Sequence, residues 1–230
     1  MYILLIIILY LISGPVDCTD VIGFSGGSVI MISDIQWKSS HNKYICKMEQ
    51  SVCNDIIRFH SPSIQVQYKR FILYGNTRGA FLVLIRKLKP QDAGTYRFGV
   101  EDQRNYTVNL KVRNDASYGV SKIINAYLGQ NITMTCKYPG EYEKNIKYVD
   151  TLDDETNIKN IIKTQTTTEN SRFSISDDRS AKVLSFNISD VKEADEVFYL
   201  FGVWNKVDAV GYYSYFTEIH LHVTGETFYF

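Results

Sequence analysis

The sequence predicts an all-β protein made of two tandem β-sandwiches. The chain of 230 residues contains 17 Tyr and only 4 Pro, a composition that suits strands. Short segments in which apolar and polar residues alternate recur along it. A turn in which an acidic residue precedes Tyr by four positions occurs at Asp92–Tyr96 and again at Asp195–Tyr199. The repeat indicates two copies of one β-rich unit.

This turn is typical of an immunoglobulin sandwich of the variable type. In that fold a Tyr near the start of strand F bonds back to nearby main chain, and a core Cys follows two residues later. Here Phe98 and Phe201 stand where the Cys is expected. The sequence therefore predicts the tyrosine corner twice and the disulfide between the two sheets in neither copy.

The strands are predicted in order from alternation. In the first copy, strands B to G are expected at residues 29–33, 43–47, 70–74, 80–85, 96–100 and 106–112. In the second copy, strand B is expected at 132–136 and strand C at 147–150. Cys136 takes the place of Ser33, and each lies 65 residues before its Phe.

The segment boundaries follow from these strands. We predict a signal peptide at residues 1–18, a first variable-type domain at 20–113, a linker at 114–119, a second domain at 120–224 and a tail at 225–230. The apolar run near the N-terminus is too short to span a bilayer and has the length of a signal-peptide core. No later apolar run is long enough, so we expect no transmembrane span. The expected location is extracellular, as a secreted protein or the ectodomain of a longer form.

The cysteine count leaves one thiol over. If Cys18 leaves with the signal peptide, Cys46, Cys53 and Cys136 remain in an oxidising compartment. An odd number implies a free thiol or a bridge between chains. Cys136 is in phase with the apolar residue Met134, so we predict a buried free thiol, with an interchain bridge as the alternative.

The motifs resemble the polymeric immunoglobulin receptor and the related leukocyte mono-immunoglobulin-like receptors, with tandem members of the fish type most similar. The resemblance is carried by Lys43–Cys53, Arg70–Phe71 and Asp92–Val100 in the first copy and by Lys137–Tyr148 in the second. It implies an additional disulfide, Cys46–Cys53, in the first copy only, because Asp150 occupies the first of these positions in the second. The strand-C core Trp of the family is also missing.

The resemblance further implies a receptor-type binding protein whose ligand is an immunoglobulin or another immune protein. In the family the ligand meets loops at one end of the first domain, which correspond to Gln36–Asn42 and Val100–Asn105. The candidate ligand-binding residues are therefore Trp37, Lys38, His41, Glu101, Asp102 and Arg104.

Three alternatives stay open. Trp37 could instead cover the core that lacks the strand-C Trp. Lipid-binding relatives hold a cation against a phosphate head group with acidic loop residues, a role open to Glu101 and Asp102. An adhesive module could pair through sheet faces, for which the Tyr-rich segment Tyr212–Phe216 is the candidate.

Other motifs favour structural or surface roles. Arg70 with Asp92, and Arg172 with Asp195, are expected to form a salt bridge at the base of each sandwich. Asn105, Asn131 and Asn187 begin glycosylation sequons. His220 and His222 lie on one strand face, where a metal would need a third ligand, so we expect two exposed polar residues and no metal site.

Composition excludes several function classes. Lys and Arg total 25, as do Asp and Glu, so the net charge is zero and nucleic acid is not an expected partner. The sequence contains no combination of nucleophile, base and acid, no phosphate-binding loop and no zinc motif. We therefore expect neither an enzyme nor a cofactor.

Overall fold

The computed structural model describes residues 18–37, 41–60, 63–75, 79–153, 158–165, 171–207 and 210–225. The predicted signal peptide, except Cys18, lies outside the described residues, as does Lys38. We refer to residues 18–113 as the first unit and to residues 120–225 as the second unit. The described part of the chain contains no helix with the length and apolar character of a membrane span.

The first unit has nine strands and one short 3-10 turn at Pro90–Asp92. The strands are β1 (Thr19–Phe24), β2 (Ser28–Gln36), β3 (Lys43–Glu49), β4 (Val52–Phe59), β5 (Gln65–Tyr68), β6 (Phe71–Gly75), β7 (Ala80–Ile85), β8 (Gly94–Val100) and β9 (Asn105–Arg113). All six predicted strands of this unit are present, within two or three residues of their predicted ends.

The second unit repeats this order with eight strands. They are β10 (Val120–Tyr127), β11 (Ile132–Lys137), β12 (Lys147–Leu152), β13 (Ile158–Lys163), β14 (Phe173–Asp178), β15 (Val183–Ile188), β16 (Phe198–Val207) and β17 (Val210–Thr224). Two 3-10 turns lie at Gly140–Tyr142 and Glu193–Asp195.

The strands form three sheets, and one sheet is shared by the two units. The first sheet has the order β1-β9-β8-β3-β4 and the third has the order β11-β15-β14. Between them lies a nine-stranded sheet ordered β13-β12-β16-β17-β2-β7-β6-β5, with β10 also on β17. The sequence had predicted two tandem sandwiches. The structure has two sandwich cores, but the sheets do not separate at the linker.

The junction is a long hairpin of the second unit. The first half of β17 pairs antiparallel with β2, from Val210 opposite Ser33 to Tyr215 opposite Ser28. The second half of β17 pairs with β10. In the first unit, β1 pairs with β9 and leaves the outer edge of β2 without a strand of its own unit. A strand of the second unit therefore completes the sheet of the first.

Both tyrosine corners are confirmed. The hydroxyl of Tyr96 donates to the main-chain oxygen of Asp92 at 2.6 Å. Two guanidinium nitrogens of Arg70 donate hydrogen bonds to the Asp92 carboxylate, at 2.7 and 2.8 Å. Burial alone would raise the pKa of Asp92, but the hydrogen bonds from Arg70 and from the amide of Lys89 lower it overall. A charged carboxylate is thus held at the base of the sandwich.

The second corner has the same geometry. Arg172 binds the Asp195 carboxylate at 2.8 and 2.9 Å, and the Tyr199 hydroxyl donates to the Asp195 main-chain oxygen at 3.0 Å. The same residue types at the same spacing therefore produce the same turn in both units.

The cores are filled by the phenylalanines that replace the disulfide cysteines. Phe98 and Phe201 are both fully buried. Phe98 stacks on Phe81 with 5.9 Å between ring centroids, and Phe201 meets Phe186 edge-on at 6.4 Å. The Ser33 hydroxyl, where a cysteine would stand, donates to the Phe81 main-chain oxygen.

Each unit also contributes side chains to the core of the other. Val210 and Tyr212 from β17 are buried in the hydrophobic core of the first unit. Phe24 from β1 is buried in the core of the second unit, where its ring meets Tyr118 at 5.2 Å and Tyr142 at 6.4 Å. The two units are therefore packed into one another rather than merely linked.

A third core lies between the units. It is formed by apolar residues on the face of the shared sheet that points away from both sandwich cores. Ile30, Ile72, Leu82 and Leu84 of the first unit pack here with Leu152, Leu200 and Tyr215 of the second. At its border, Arg86 forms a salt bridge of 3.1 Å with the buried Glu218.

The cysteines behave as predicted. Cys46 and Cys53 form a disulfide that joins β3 to β4, with 5.4 Å between the Cα atoms. Cys136 is a free, buried thiol on β11. Burial raises the pKa of the Cys136 thiol to about 12, so it stays protonated at neutral pH.

Candidate functional site

Apart from Lys38, which lies outside the described residues, the predicted binding residues lie where three connections of the first unit meet. These connections follow β2, join β4 to β5, and join β8 to β9. Asn42 links all three. Its main-chain oxygen accepts from the Glu101 amide at 2.9 Å, its side-chain amide donates to the Glu101 carboxylate at 2.5 Å, and its side-chain oxygen lies 2.8 Å from Nδ1 of His60. These bonds fix the relative positions of the loops.

Glu101 is held by a cation from the neighbouring strand. Nη1 of Arg58, on β4, lies 2.5 Å from Glu101 Oε1, and its Nε lies 2.6 Å from Asp55. The guanidinium also lies over the ring of Tyr44, 4.8 Å from its centroid. Arg58 and Tyr44 were not among the predicted site residues. Arg58 follows Cys53 on the strand beside β3, and this was the sequence signal that could have identified it.

Arg104 belongs to a second cluster at the same end. Its guanidinium lies 2.9 Å from the carboxylate of Asp34 and 5.0 Å from the centroid of the Tyr106 ring. The Tyr106 hydroxyl donates to the same carboxylate at 2.5 Å. Burial and this hydrogen bond raise the pKa of Tyr106 to about 12. Arg104 and Asp34 are about 60% and 57% exposed, so this cluster faces solvent.

Trp37 takes the core position that was left open as the alternative to ligand binding. Its ring is half-buried against Phe81 and Phe59, with centroid distances of 5.2 and 5.9 Å. Lys43 Nζ lies 5.1 Å from the ring centroid. A Cβ atom at Gly75 would lie 2.7 Å from Cγ of Trp37, so glycine leaves room for the ring. The indole thus packs against the core cluster to which Ile45 belongs.

The other predicted residues are spread around this end. His41 is half-buried and close to Asn42 in the chain. Asp102 is exposed, with a φ of 57° in the β8–β9 turn. The Glu101 carboxylate already has a cationic partner in Arg58. Among the described residues, the one group of three metal-ligand types is Cys46, Cys53 and Asp55, and its sulfurs are joined in the disulfide.

The corresponding end of the second unit is covered by the first. Tyr142, in the connection after β11, is buried against Phe24. The neighbouring Glu141 forms a salt bridge with Arg113. The long hairpin of β16 and β17 lies along β2. The loop end of the first unit carries no such cover in the described residues.

The predicted Tyr-rich adhesive segment is also engaged within the chain. Tyr212 and Tyr215 are buried, one in the core of the first unit and the other in the third core. Their strand pairs with β2 on one side and β16 on the other. The segment that sequence inspection offered as an adhesive face therefore joins the two units.

Two of the three sequon asparagines are exposed. These are Asn105 and Asn131, and the side-chain oxygen of Asn131 accepts a hydrogen bond from the Asp190 amide. Asn187 is half-buried and bonded to Thr133 and Ser174.

On β17 the neighbours of the histidines, Ile219 and Leu221, are buried. The His220 ring stacks on Phe198 with 4.1 Å between centroids, and His222 lies 3.4 Å from Glu196. The pair therefore lies on the outer face, in contact with neighbouring side chains.

A family match and a relative support the immunoglobulin fold and the family resemblance. The immunoglobulin V-set domain family matches residues 120–224. The polymeric immunoglobulin receptor of Bos taurus is 27% identical over 198 residues, which cover 82% of this chain and 26% of the receptor. The chain thus spans about a quarter of that relative's length. The crystal structure of the first Ig domain from mouse polymeric immunoglobulin receptor matches with a TM-score of 0.39 and 15% identity, over 46% of this chain and 93% of that one.

Proposed function

We propose that this immunoglobulin V-set protein, similar to the polymeric immunoglobulin receptor, is an immune-receptor-type binding protein whose ligand meets the loop end of the first unit. The observation that carries the proposal is the asymmetry of the two loop ends. The second unit uses its loop after β11 and its β16–β17 hairpin to hold the first unit. The loop end of the first unit remains as the surface for a partner.

The chemistry of this end suits a protein ligand. Binding energy at protein interfaces concentrates in Tyr, Trp and Arg anchors. Arg104 over Tyr106 and Arg58 over Tyr44 supply two Arg–Tyr pairs. Ile64, at the start of the segment that leads into β5, is 69% exposed and adds an apolar contact. Sequence inspection had not selected Ile64.

We take an immunoglobulin as the first ligand to test, because the relative that this chain matches is an immunoglobulin receptor. An extracellular location follows from this proposal, and the Cys46–Cys53 disulfide is consistent with an oxidising compartment. A glycan on the exposed Asn105 would stand beside Arg104 and cover part of the site.

The two alternatives have less support. Adhesion through Tyr212–Phe216 would require a segment that already joins the units. Lipid head-group binding through a cation at Glu101 would require the release of Arg58 from its salt bridge. Both remain distinguishable by experiment.

The test is surface plasmon resonance with the full chain immobilised. Immunoglobulins form one set of analytes, and anionic or zwitterionic vesicles form another. We expect an immunoglobulin to bind and Arg104→Ala to weaken this binding at least tenfold, or about 1.4 kcal/mol.

Arg179→Ala is the matched control, because Arg179 lies on the second unit with 64% of its side chain exposed, against 60% for Arg104. Equal losses in the two variants would contradict the proposed site. Binding of vesicles but of no immunoglobulin would favour the lipid alternative.

A further inference from the structure

A cavity lies between the two units, at the border of the third core. Its volume is about 180 Å³. One wall carries Tyr74 of the first unit, and the others carry Tyr213 and Tyr215 of β17 and Asp150 and Asn160 of β12 and β13. Isoleucine and leucine side chains complete the lining. A single water needs roughly 10–15 Å³, so the cavity has room for a small organic group.

Asp150 is the charged residue of this cavity, and it is only 2% exposed. Its carboxylate accepts hydrogen bonds from the Tyr215 hydroxyl and from the Asn160 amide, the latter at 2.6 Å. Both donors are neutral. Among the described residues, the salt bridges include no Lys, Arg or His partner for Asp150.

Buried carboxylates are normally paired with a cation, because removal of the charge from water is costly. Asp177 in the same unit shows the usual solution, since its carboxylate lies 2.9 Å from the fully buried Lys147. Asp150 has hydrogen bonds but no such counter-charge. Burial accordingly raises its pKa to about 6, although the bonds from Tyr215 and Asn160 act in the opposite direction.

We propose that the cavity between the units binds a small organic ammonium group, with Asp150 as its counter-ion and the rings of Tyr74, Tyr213 and Tyr215 as its walls. Aromatic faces attract cations, and quaternary and alkylated ammonium groups are held in this way by aromatic cages. Tyr213 and Tyr215 lie in parallel, with 5.7 Å between centroids. The aliphatic remainder of the lining suits an alkyl group.

A metal ion fits this cavity poorly. Calcium takes six to eight oxygen ligands, whereas the polar lining consists of one carboxylate, one amide and the tyrosine hydroxyls. Ammonium groups occur in free amines and in lysine side chains of proteins, and both present the same chemistry to the cavity.

The test is an NMR titration of the full chain at pH 7.5 with tetramethylammonium and n-butylammonium chloride, with n-butanol as the neutral analogue. We expect saturable shifts at the amides of Asp150, Asn160 and Tyr213 with at least one ammonium salt and none with n-butanol. Equal responses to the amine and to the alcohol would overturn the proposal.

Variants separate charge from shape. Asp150→Asn should weaken binding at least tenfold with the fold intact, and Tyr213→Leu should weaken it without a change in charge. Asp190→Asn, at an exposed turn of the second unit, is the matched control and should leave binding unchanged. Retained affinity in Asp150→Asn, or an equal loss in Asp190→Asn, would refute the role of Asp150.

The proposal also predicts a pH dependence of binding. Binding at pH 5 should be about tenfold weaker than at pH 7.5, because a proton then competes for the Asp150 carboxylate. The other titratable groups that face this carboxylate are Tyr74, Tyr148, Tyr213 and Tyr215, and all have a raised pKa.

A lysine peptide and its acetylated form distinguish the two sources. Binding of n-butylammonium alone assigns the cavity to free amines, and binding of the unacetylated peptide assigns it to a lysine side chain. Binding of no ammonium compound overturns the proposal.

Discussion

Tyr212 offers the sharpest test of how the two units depend on each other. It belongs to β17 of the second unit, but it is buried in the core of the first, where it is only 4% exposed. Its hydroxyl is hydrogen-bonded to the main chain of Ile22 in β1. We therefore predict that Tyr212→Ala destabilises the first unit, although no residue of that unit is changed.

The magnitude follows from the burial. Truncation of a large buried aromatic side chain to Ala costs about 3–5 kcal/mol. We expect about 3 kcal/mol here, because Tyr212 lies at an edge of the core. The two units share a sheet, and for a protein of 230 residues each kcal/mol lowers the melting temperature by about 2–4 °C. A decrease of about 6–12 °C is therefore the expected result.

Hydrogen exchange measured by mass spectrometry locates the effect. Peptides from β2 and β7 of the first unit should lose protection in Tyr212→Ala. Tyr127→Ala is the matched control, since Tyr127 lies on β10 with 44% of its surface exposed, and it should change stability by less than about 0.5–1 kcal/mol. Loss of protection confined to the second unit, with β2 unaffected, would refute the reasoning.

Three further predictions concern single side chains. Trp37→Ala should lower the melting temperature through a loss of about 2–3 kcal/mol and leave ligand affinity within twofold, as calorimetry and surface plasmon resonance can show; weakened binding at unchanged stability would instead make Trp37 a ligand anchor. Asp150→Asn should remove a pH dependence. The native pKa of about 6 exceeds the ordinary 3.8, so the native state binds more protons within that window. Stability falls by about 3 kcal/mol as pH rises through it. Urea midpoints of the variant and the wild type, measured at pH 4, 5 and 7, should therefore agree at pH 4 and move apart toward pH 7. A difference that stays constant with pH would contradict this. Phe201→Cys should form a bridge with Cys136 but change the melting temperature by less than about 10 °C. The bridge contributes about 4 kcal/mol and the lost Phe packing costs about 3–5 kcal/mol. Thiol titration and calorimetry check this, and a larger rise would show that Phe201 packs loosely.

Local features of the fold were predictable because their causes are local. The tyrosine corners require only the short Asp-to-Tyr spacing and an Arg on a neighbouring strand, and both formed as predicted. The Cys46–Cys53 disulfide, which the family resemblance implied, joins two cysteines seven positions apart on adjacent strands. The core position of Cys136 followed from alternation. Each of these depends on residues that one copy of the repeat contains.

The pairing of β17 with β2 was not predictable from such patterns. The period of a strand shows which side chains share a face, but it does not identify the strand that will pair with an open edge. One signal was present in the sequence. The segment from the corner Tyr to the end of strand G is longer in the second copy, and the additional residues include Tyr212 and Tyr213. They extend the hairpin that reaches β2.

The candidate sites also combine local features, which were predictable, with contacts between distant segments, which were not. Comparison of the repeats identified Asp150 as the residue in place of the first disulfide cysteine. It could not show that the other unit would cover this outer face and bury the carboxylate. Likewise, the loop end was predicted from the resemblance, whereas the Asn42 bonds that fix its loops depend on three segments distant in sequence.

The exchange of side chains between the units also explains how two sandwiches persist without their inter-sheet disulfides. Each missing bridge over a loop of about 65 residues would contribute about 4 kcal/mol, or about 8 kcal/mol for both. Phe24, Val210 and Tyr212, each buried in the core of the other unit, contribute about 1.5–3 kcal/mol apiece, or roughly 5–9 kcal/mol together. The two sums are of similar size. The hairpin that pairs with β2 is thus the feature that stabilises the first unit, and the loop end that we propose for ligand binding belongs to that unit.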